Sequence, residues 1–187
     1  VIYSWYPFEK DYLGSIFTAR TAFYFPGFLN DNSIRIRFET DLQQPQKYYL
    51  GNRSSFSRSY ENITSMKTEF LSVDYVMPLA YPDFNISSLM YLKRILSGLF
   101  YDYTRGKDNY VNIITDTGIT REFHGYEEEF KSFGFELLSD FYLFRIPYMI
   151  SAGVQTTWRS FNQSPYFRFL FNIDIYCILH YFFFQFT

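Results

Sequence analysis

The chain has 187 residues, enough for one domain. Phe, Tyr and Trp make up 24% of it although only 48% is hydrophobic in all, and its net charge of −2 removes any electrostatic case for nucleic acid. The single cysteine, Cys177, excludes an internal disulfide framework and a cysteine-cluster metal site.

The start, Val1-Ile2-Tyr3-Ser4-Trp5-Tyr6, lacks the basic and apolar regions of a signal peptide. Either a signal has been removed or this is not the natural beginning. From Gly14 to Phe25 the pattern has period two. Phe17, Ala19, Thr21, Phe23 and Phe25 share one face and Arg20 lies opposite. In Ser33–Asp41, Ile34, Ile36 and Phe38 oppose Arg35, Arg37, Glu39 and Asp41. A helix would scatter these residues around its circumference, whereas a strand gives one apolar and one charged face.

The rhythm recurs along the chain. Leu71, Val73, Tyr75, Met77 and Leu79 oppose Ser72 and Asp74. Ile95, Leu99, Tyr101 and Tyr103 oppose Arg94, Gly98 and Asp102. Phe133, Phe135, Leu137, Phe141 and Leu143 oppose Gly134, Glu136 and Asp140. Ala152, Val154, Thr156 and Trp158 oppose Ser151, Gly153, Gln155 and Arg159. Phe167, Phe169, Phe171, Ile173 and Ile175 oppose Arg168, Asn172 and Asp174. The segments run to about 9–11 residues, the length of a tilted strand crossing a bilayer. Soluble sandwich strands are shorter.

The fold expectation is therefore all-β: an antiparallel transmembrane β-barrel with seven visible strands, in one domain over 1–187. Phe17, Phe23, Phe25, Ile34, Ile36, Phe38, Leu71, Val73, Phe133, Phe135, Phe167, Phe169, Phe171 and Ile173 are expected to face lipid. Arg20, Arg35, Arg37, Glu39, Asp74, Arg94, Asp102, Glu136, Asp140, Arg159, Arg168 and Asp174 are expected to face the lumen. Two readings of those charges stand side by side. They line a water-filled, selective lumen, or they pair with one another in a packed or plugged interior.

The connections at Pro26–Asn32 and Arg145–Met149 are short, and those at Gln43–Ser65 and Arg105–Glu129 are long and polar. With the long loops outside the cell, the last strand ends in the periplasm. Seven strands then begin outside and leave two open edges, which hydrocarbon does not tolerate. So the expectation is part of a larger barrel, completed by strands of the same polypeptide or another subunit. The alternative is a missed strand within Val1–Lys10.

Several phrases occur together: Phe23-Tyr24-Phe25-Pro26-Gly27, Met77-Pro78-Leu79-Ala80-Tyr81-Pro82-Asp83-Phe84, Leu99-Phe100-Tyr101-Asp102-Tyr103, Gly134-Phe135-Glu136-Leu137-Leu138-Ser139-Asp140 and Phe169-Leu170-Phe171-Asn172-Ile173-Asp174-Ile175-Tyr176. In their order, over roughly residues 12–176, the chain resembles the C-terminal barrel region of large Bacteroidota outer-membrane proteins that carry a TolB-like propeller ahead of the barrel. The resemblance implies a propeller preceding this region and a chain end near Tyr176. The sequence instead runs on through an aromatic tail to Thr187. No catalytic residues come with the resemblance.

Candidate chemistry is sparse. His124 with Glu122 or Glu127 has the residue types for a metal ligand or base, but no second histidine stands at ligand spacing. His180 lies in the aromatic tail, where a packed or interfacial role fits. There is no G-x-S-x-G. Asp108 and Asp116 do not follow an EF-hand spacing. No enzyme activity, cofactor or metal is expected. Three functions remain: a structural element of the outer membrane, with lipid and envelope proteins as partners; a transport pore; or a soluble β-sandwich binding module.

Overall fold

The computed structural model describes residues 1–5, 14–29, 31–45, 50–108, 111–115, 118–122, 125–144, 146 and 148–174. The strands are β1 (Ile2–Trp5), β2 (Ser15–Pro26), β3 (Ser33–Gln44), β4 (Lys67–Ala80), β5 (Phe84–Ile86), β6 (Met90–Asp108), β7 (Val111–Thr115), β8 (Gly118–Glu122), β9 (Tyr126–Leu143), β10 (Met149–Trp158) and β11 (Tyr166–Asp174). One antiparallel sheet runs β1-β2-β3-β4-β6-β9-β10-β11, with β5 added against the start of β6. β7 and β8 form a separate two-stranded hairpin between β6 and β9.

The all-β expectation holds, and the strand count needs correcting. The main path has eight strands among the described residues, because Ile2–Trp5 pairs with Ser15–Thr18. That is the place where a missed strand fitted. The odd-number argument for a fragment therefore loses its basis. Among the described residues the sheet is open: β1 and β11 lie at its two edges and do not pair with each other.

Register puts the alternating residues into continuous rows. Phe23 lies opposite Ile36, which lies opposite Val73, then Tyr101, Phe133 and Trp158. Stacked aromatic contacts reinforce the row, with Phe133 and Trp158 rings 6.1 Å apart. Two irregularities keep the faces consistent. A shift between Pro78 and Ala80 accommodates a proline that has no N–H for the ladder. A second, between Leu92 and Arg94, brings Arg94 opposite Asp140.

Burial is inverted relative to a soluble domain. Among the described residues the buried apolar side chains are Ile16, Phe70 and Phe100, and all three lie on the charged face. On the apolar face, Phe167 and Phe169 are 72% and 70% exposed. No second sheet covers that face among the described residues.

Both long connections differ from the loops expected. Much of 105–129 is strand, because β6 continues to Asp108, β9 begins at Tyr126, and β7–β8 lies between them. In the other connection, residues 50–66 fold back across the charged face.

Candidate functional site

On the charged face, Arg20, Arg35, Arg37 and Glu39 sit in the register of β2 and β3, Asp74 on β4, and Arg94 and Asp102 on β6. Glu136 and Asp140 follow on β9, and Arg168 stands opposite Gln155. Asp174 stands opposite Met149, at the end of β11. The opposite face carries Phe17, Phe23, Phe25, Ile34, Ile36, Phe38, Leu71, Val73, Phe133, Phe135, Phe167, Phe169, Phe171 and Ile173. The register thus places the two sets of residues on opposite sides of one sheet.

Most of these charges meet partners across neighbouring strands. Arg20 pairs with Glu39 at 3.4 Å, and Arg35 with Asp74 at 3.2 Å. Arg37 reaches Asp74 at 3.6 Å and donates to Ser72. Arg94 pairs with Asp140, which also accepts from Ser151 at 2.6 Å. Gln155 donates to Glu136 at 3.2 Å.

The remaining partners come from the strap, residues 50–65. Its base is closed by Asn52, which donates to the Ile63 carbonyl at 2.8 Å and to the Thr68 hydroxyl at 2.9 Å. Gln43 N–H donates to the Met66 carbonyl at 2.7 Å just below. This is an Ω-loop, ends together and middle extended. Arg53 and Ser54 N–H donate to Asp41 at 2.7 and 2.6 Å, and Ser55 N–H donates to Glu39 at 2.7 Å. Ser57 N–H donates to Thr104 at 2.9 Å, and Arg58 N–H to Asp102 at 3.2 Å. Arg159 donates to the Ser59 carbonyl, and Tyr60 donates to the Lys131 carbonyl on β9.

The strap thus passes from β3, over β4 and β6, to β9 and the end of β10. Residues 53–57 cross from β3 to β6, a turn closed by Tyr60 N–H on the Ser57 carbonyl at 3.3 Å follows, and the long side chains of Tyr60 and Arg159 bridge the remaining spacings. Serines at 54, 55, 57 and 59 make this possible, since small side chains let backbone N–H groups approach carboxylates. Hydrogen bonds to charged groups contribute about 1.5–3 kcal/mol each.

Arg58 is the strap's anchor. Its guanidinium meets Asp74 at 2.5 Å and Asp102 at 3.5 Å, and lies 3.9 Å over the Phe100 ring. Asp102 and Thr104 are fully buried, as are Asp41 and Ser72. The sequence placed Asp41 on the charged face but gave no hint of Arg58, Ser57 or Thr104 as its partners. The Ser-rich run carried no period to read.

Glycine shapes the same face. A Cβ on Gly134 would lie 2.7 Å from the Phe100 ring and 2.0 Å from the Thr156 carbonyl. Phe100, directly opposite Gly134, covers that gap and presents its ring to Arg58.

Beyond Leu71 and Tyr103 the outward face turns from apolar to charged. Lys67 pairs with Glu69 and Lys131 with Glu129, while Glu127 takes both Arg105 and Lys107. The Arg105 guanidinium holds the Glu127 carboxyl below its usual range, with Lys107 adding to it. Lys131 and then the Tyr103 hydroxyl do the same for Glu129.

Among the described residues, no three His, Cys, Asp or Glu side chains gather as metal ligands would. His124, Asp116, His180 and the tail after Asp174 lie outside the described residues. Compared with known proteins, the chain matches no family model, no curated protein and no solved structure.

Proposed function

We propose that the chain is wall of an outer-membrane β-barrel and serves there as a structural element, anchoring a periplasmic domain or taking part in an envelope complex. The observation that carries this reading is the oblique course of the apolar band. On β2 the band runs from Phe17 to Phe25, centred on Thr21; on β11 it runs from Phe167 to Ile173, centred on Leu170. Thr21 maps through Phe38, Leu71 and Tyr103 to Lys131 on β9. Leu170 maps through Gly153 to Leu138.

The two centres are therefore seven residues apart on one strand, about 23 Å at 3.3 Å per residue. Six strand spacings of about 4.8 Å separate β2 from β11, about 29 Å. A band level with a flat membrane climbs across strands tilted by about 40°, inside the 35–45° of membrane barrels. On β9 the band from Phe133 to Phe141 is about 26 Å of strand. At that tilt it subtends about 20 Å, close to the lipid-facing band of about 25 Å in such barrels.

The bare apolar face supports lipid as the partner. A soluble sandwich would bury Phe167 and Phe169, which stand open here. The ion-paired rows beyond Leu71 suit a β6–β9 hairpin that rises past the membrane surface on the external side. The edges at β1 and β11 need pairing in hydrocarbon, with each other or with strands beyond the described residues. The anchoring role follows from the resemblance to barrels that trail a propeller.

Accessibility labelling tests the reading. In a Cys177→Ser background, spin labels at Phe135, Val154 and Phe169 are expected to be quenched by oxygen dissolved in lipid and shielded from an aqueous nickel chelate. Labels at Gln155 and Arg168 are expected to show the opposite pattern. Equal access of the chelate to both sets would sink the reading.

A further inference from the structure

The strap is held mainly by polar contacts that water is able to replace. Its amides rest on Asp41, Glu39 and Asp102, its Arg58 is gripped by two carboxylates, and Phe56 and Tyr60 add ring contacts with Phe130. On the far side of the strap the face stays largely polar, with Arg94, Asp140 and Ser151 bonded together and Glu136 bonded to Gln155. A permanent plug has no need of a polar wall beyond it. A removable closure does, because the uncovered wall then has to be wetted.

Charge bookkeeping predicts what the uncovered wall prefers. With the strap lifted, Glu39 keeps Arg20, Asp74 keeps Arg35 and Arg37, and Asp140 keeps Arg94. Asp41 loses both of its N–H donors, and Asp102 loses Arg58. Neither has an ion-pair partner on the wall among the described residues. Asp41 and Asp102, the second still accepting from Ser72 at 2.7 Å, then face the space the strap vacated, and with Glu39 and Asp74 they leave the wall there one negative charge in excess of Arg20, Arg35 and Arg37.

On this basis we infer that the charged face is one wall of an aqueous path for small cationic solutes, that the strap closes it at rest, and that Arg58 is the latch. Carboxylates that line an aqueous path favour cations by the ordinary rules of channel selectivity. Closure and opening form a two-state equilibrium, so weakening the latch shifts its population. The inference rests on the barrel reading and goes beyond it by assigning a conducting state.

The test is planar-bilayer conductance of the full chain in the Cys177→Ser background, with spin-label accessibility measured on the same preparations. Arg58→Ala is expected to raise open probability about tenfold, the factor that about 1.4 kcal/mol makes in an equilibrium. In a potassium chloride gradient the reversal potential should lie toward potassium, and Asp102→Asn added to Arg58→Ala should move it back.

Ser57 and Thr104 hydroxyls are 2.7 Å apart, so Ser57→Cys with Thr104→Cys provides a lock. Oxidised, the lock should silence current, and reductant should restore it. The lock also works in the otherwise unchanged chain, where it should abolish resting openings, so the test survives if Arg58→Ala fails to fold. Lipid-accessible labels combined with no extra current from Arg58→Ala, with chloride preference, or with current unaffected by the oxidised lock would overturn the inference. Failure of the labels themselves would instead overturn the barrel reading beneath it.

Discussion

Two connections that look alike in sequence take opposite courses. Residues 45–66 and 105–129 are both long and polar, yet in the first residues 50–66 turn inward over the charged face, and the second continues largely as strand. The difference lies in period and side-chain size. Lys67, Glu69, Arg105, Lys107, Glu127, Glu129 and Lys131 keep the alternation of the strands below them and pair off on the outward face. Asn52-Arg53-Ser54-Ser55-Phe56-Ser57-Arg58-Ser59 has no alternation of apolar and charged residues, and its serines leave the backbone free to hydrogen-bond to the carboxylates of the wall. Charge in a connection thus signals solvent only where it sits on a strand's outward face.

The comparison breaks most sharply at two arginines. Arg58→Ala leaves Asp102 buried without its cation and is expected to cost about 3 kcal/mol in urea unfolding of the reconstituted protein. Arg105→Ala on the hairpin, where Glu127 keeps Lys107, is expected to leave the unfolding midpoint unchanged within error. Equal effects from the two would mean that the strap is as loosely held as the hairpin.

Ser57→Ala sharpens the same contrast. It removes the hydroxyl bonded to Thr104 and to the Phe130 carbonyl while leaving the backbone bond in place, and is expected to cost about 1 kcal/mol. A smaller gain is expected at Ser59, whose φ of 70° is left-handed. Ser59→Gly relieves that geometry and should stabilise by about 0.5 kcal/mol, the difference between the left-handed penalty and the entropy of glycine. Matched unfolding curves for the two variants check both expectations.

The smallest effect is one of pH and belongs to the hairpin. Glu127 and Glu129 have folded values below the ordinary carboxylate value, so their contribution is present above that value and is lost as pH falls through the lowered ones. Amide exchange, corrected for its intrinsic pH dependence, should speed up at Arg105–Asp108 and at Glu127–Lys131 between about pH 5 and pH 3. Glu127→Gln should remove most of that acid response. An unchanged response in the variant would show that these ion pairs do not hold the hairpin end.

The sequence by itself determined the two faces. Alternation is a local property of extended chain: once Ile34, Ile36 and Phe38 are apolar and Arg35, Arg37 and Glu39 are charged, the strand has no other way to sort them. It also determined that the apolar face carries the large aromatics. It left the end strand Ile2–Trp5 open, because four residues hold too little pattern to separate from noise. Only the tertiary structure decided how the rows align obliquely across the sheet, and what covers the charged face. Both depend on pairs distant in the chain, Ser57 with Thr104 and Ser59 with Arg159, separated by 47 and 100 residues. Such pairs follow no period, and they form because buried polar groups must find hydrogen-bond partners wherever the folded chain brings them.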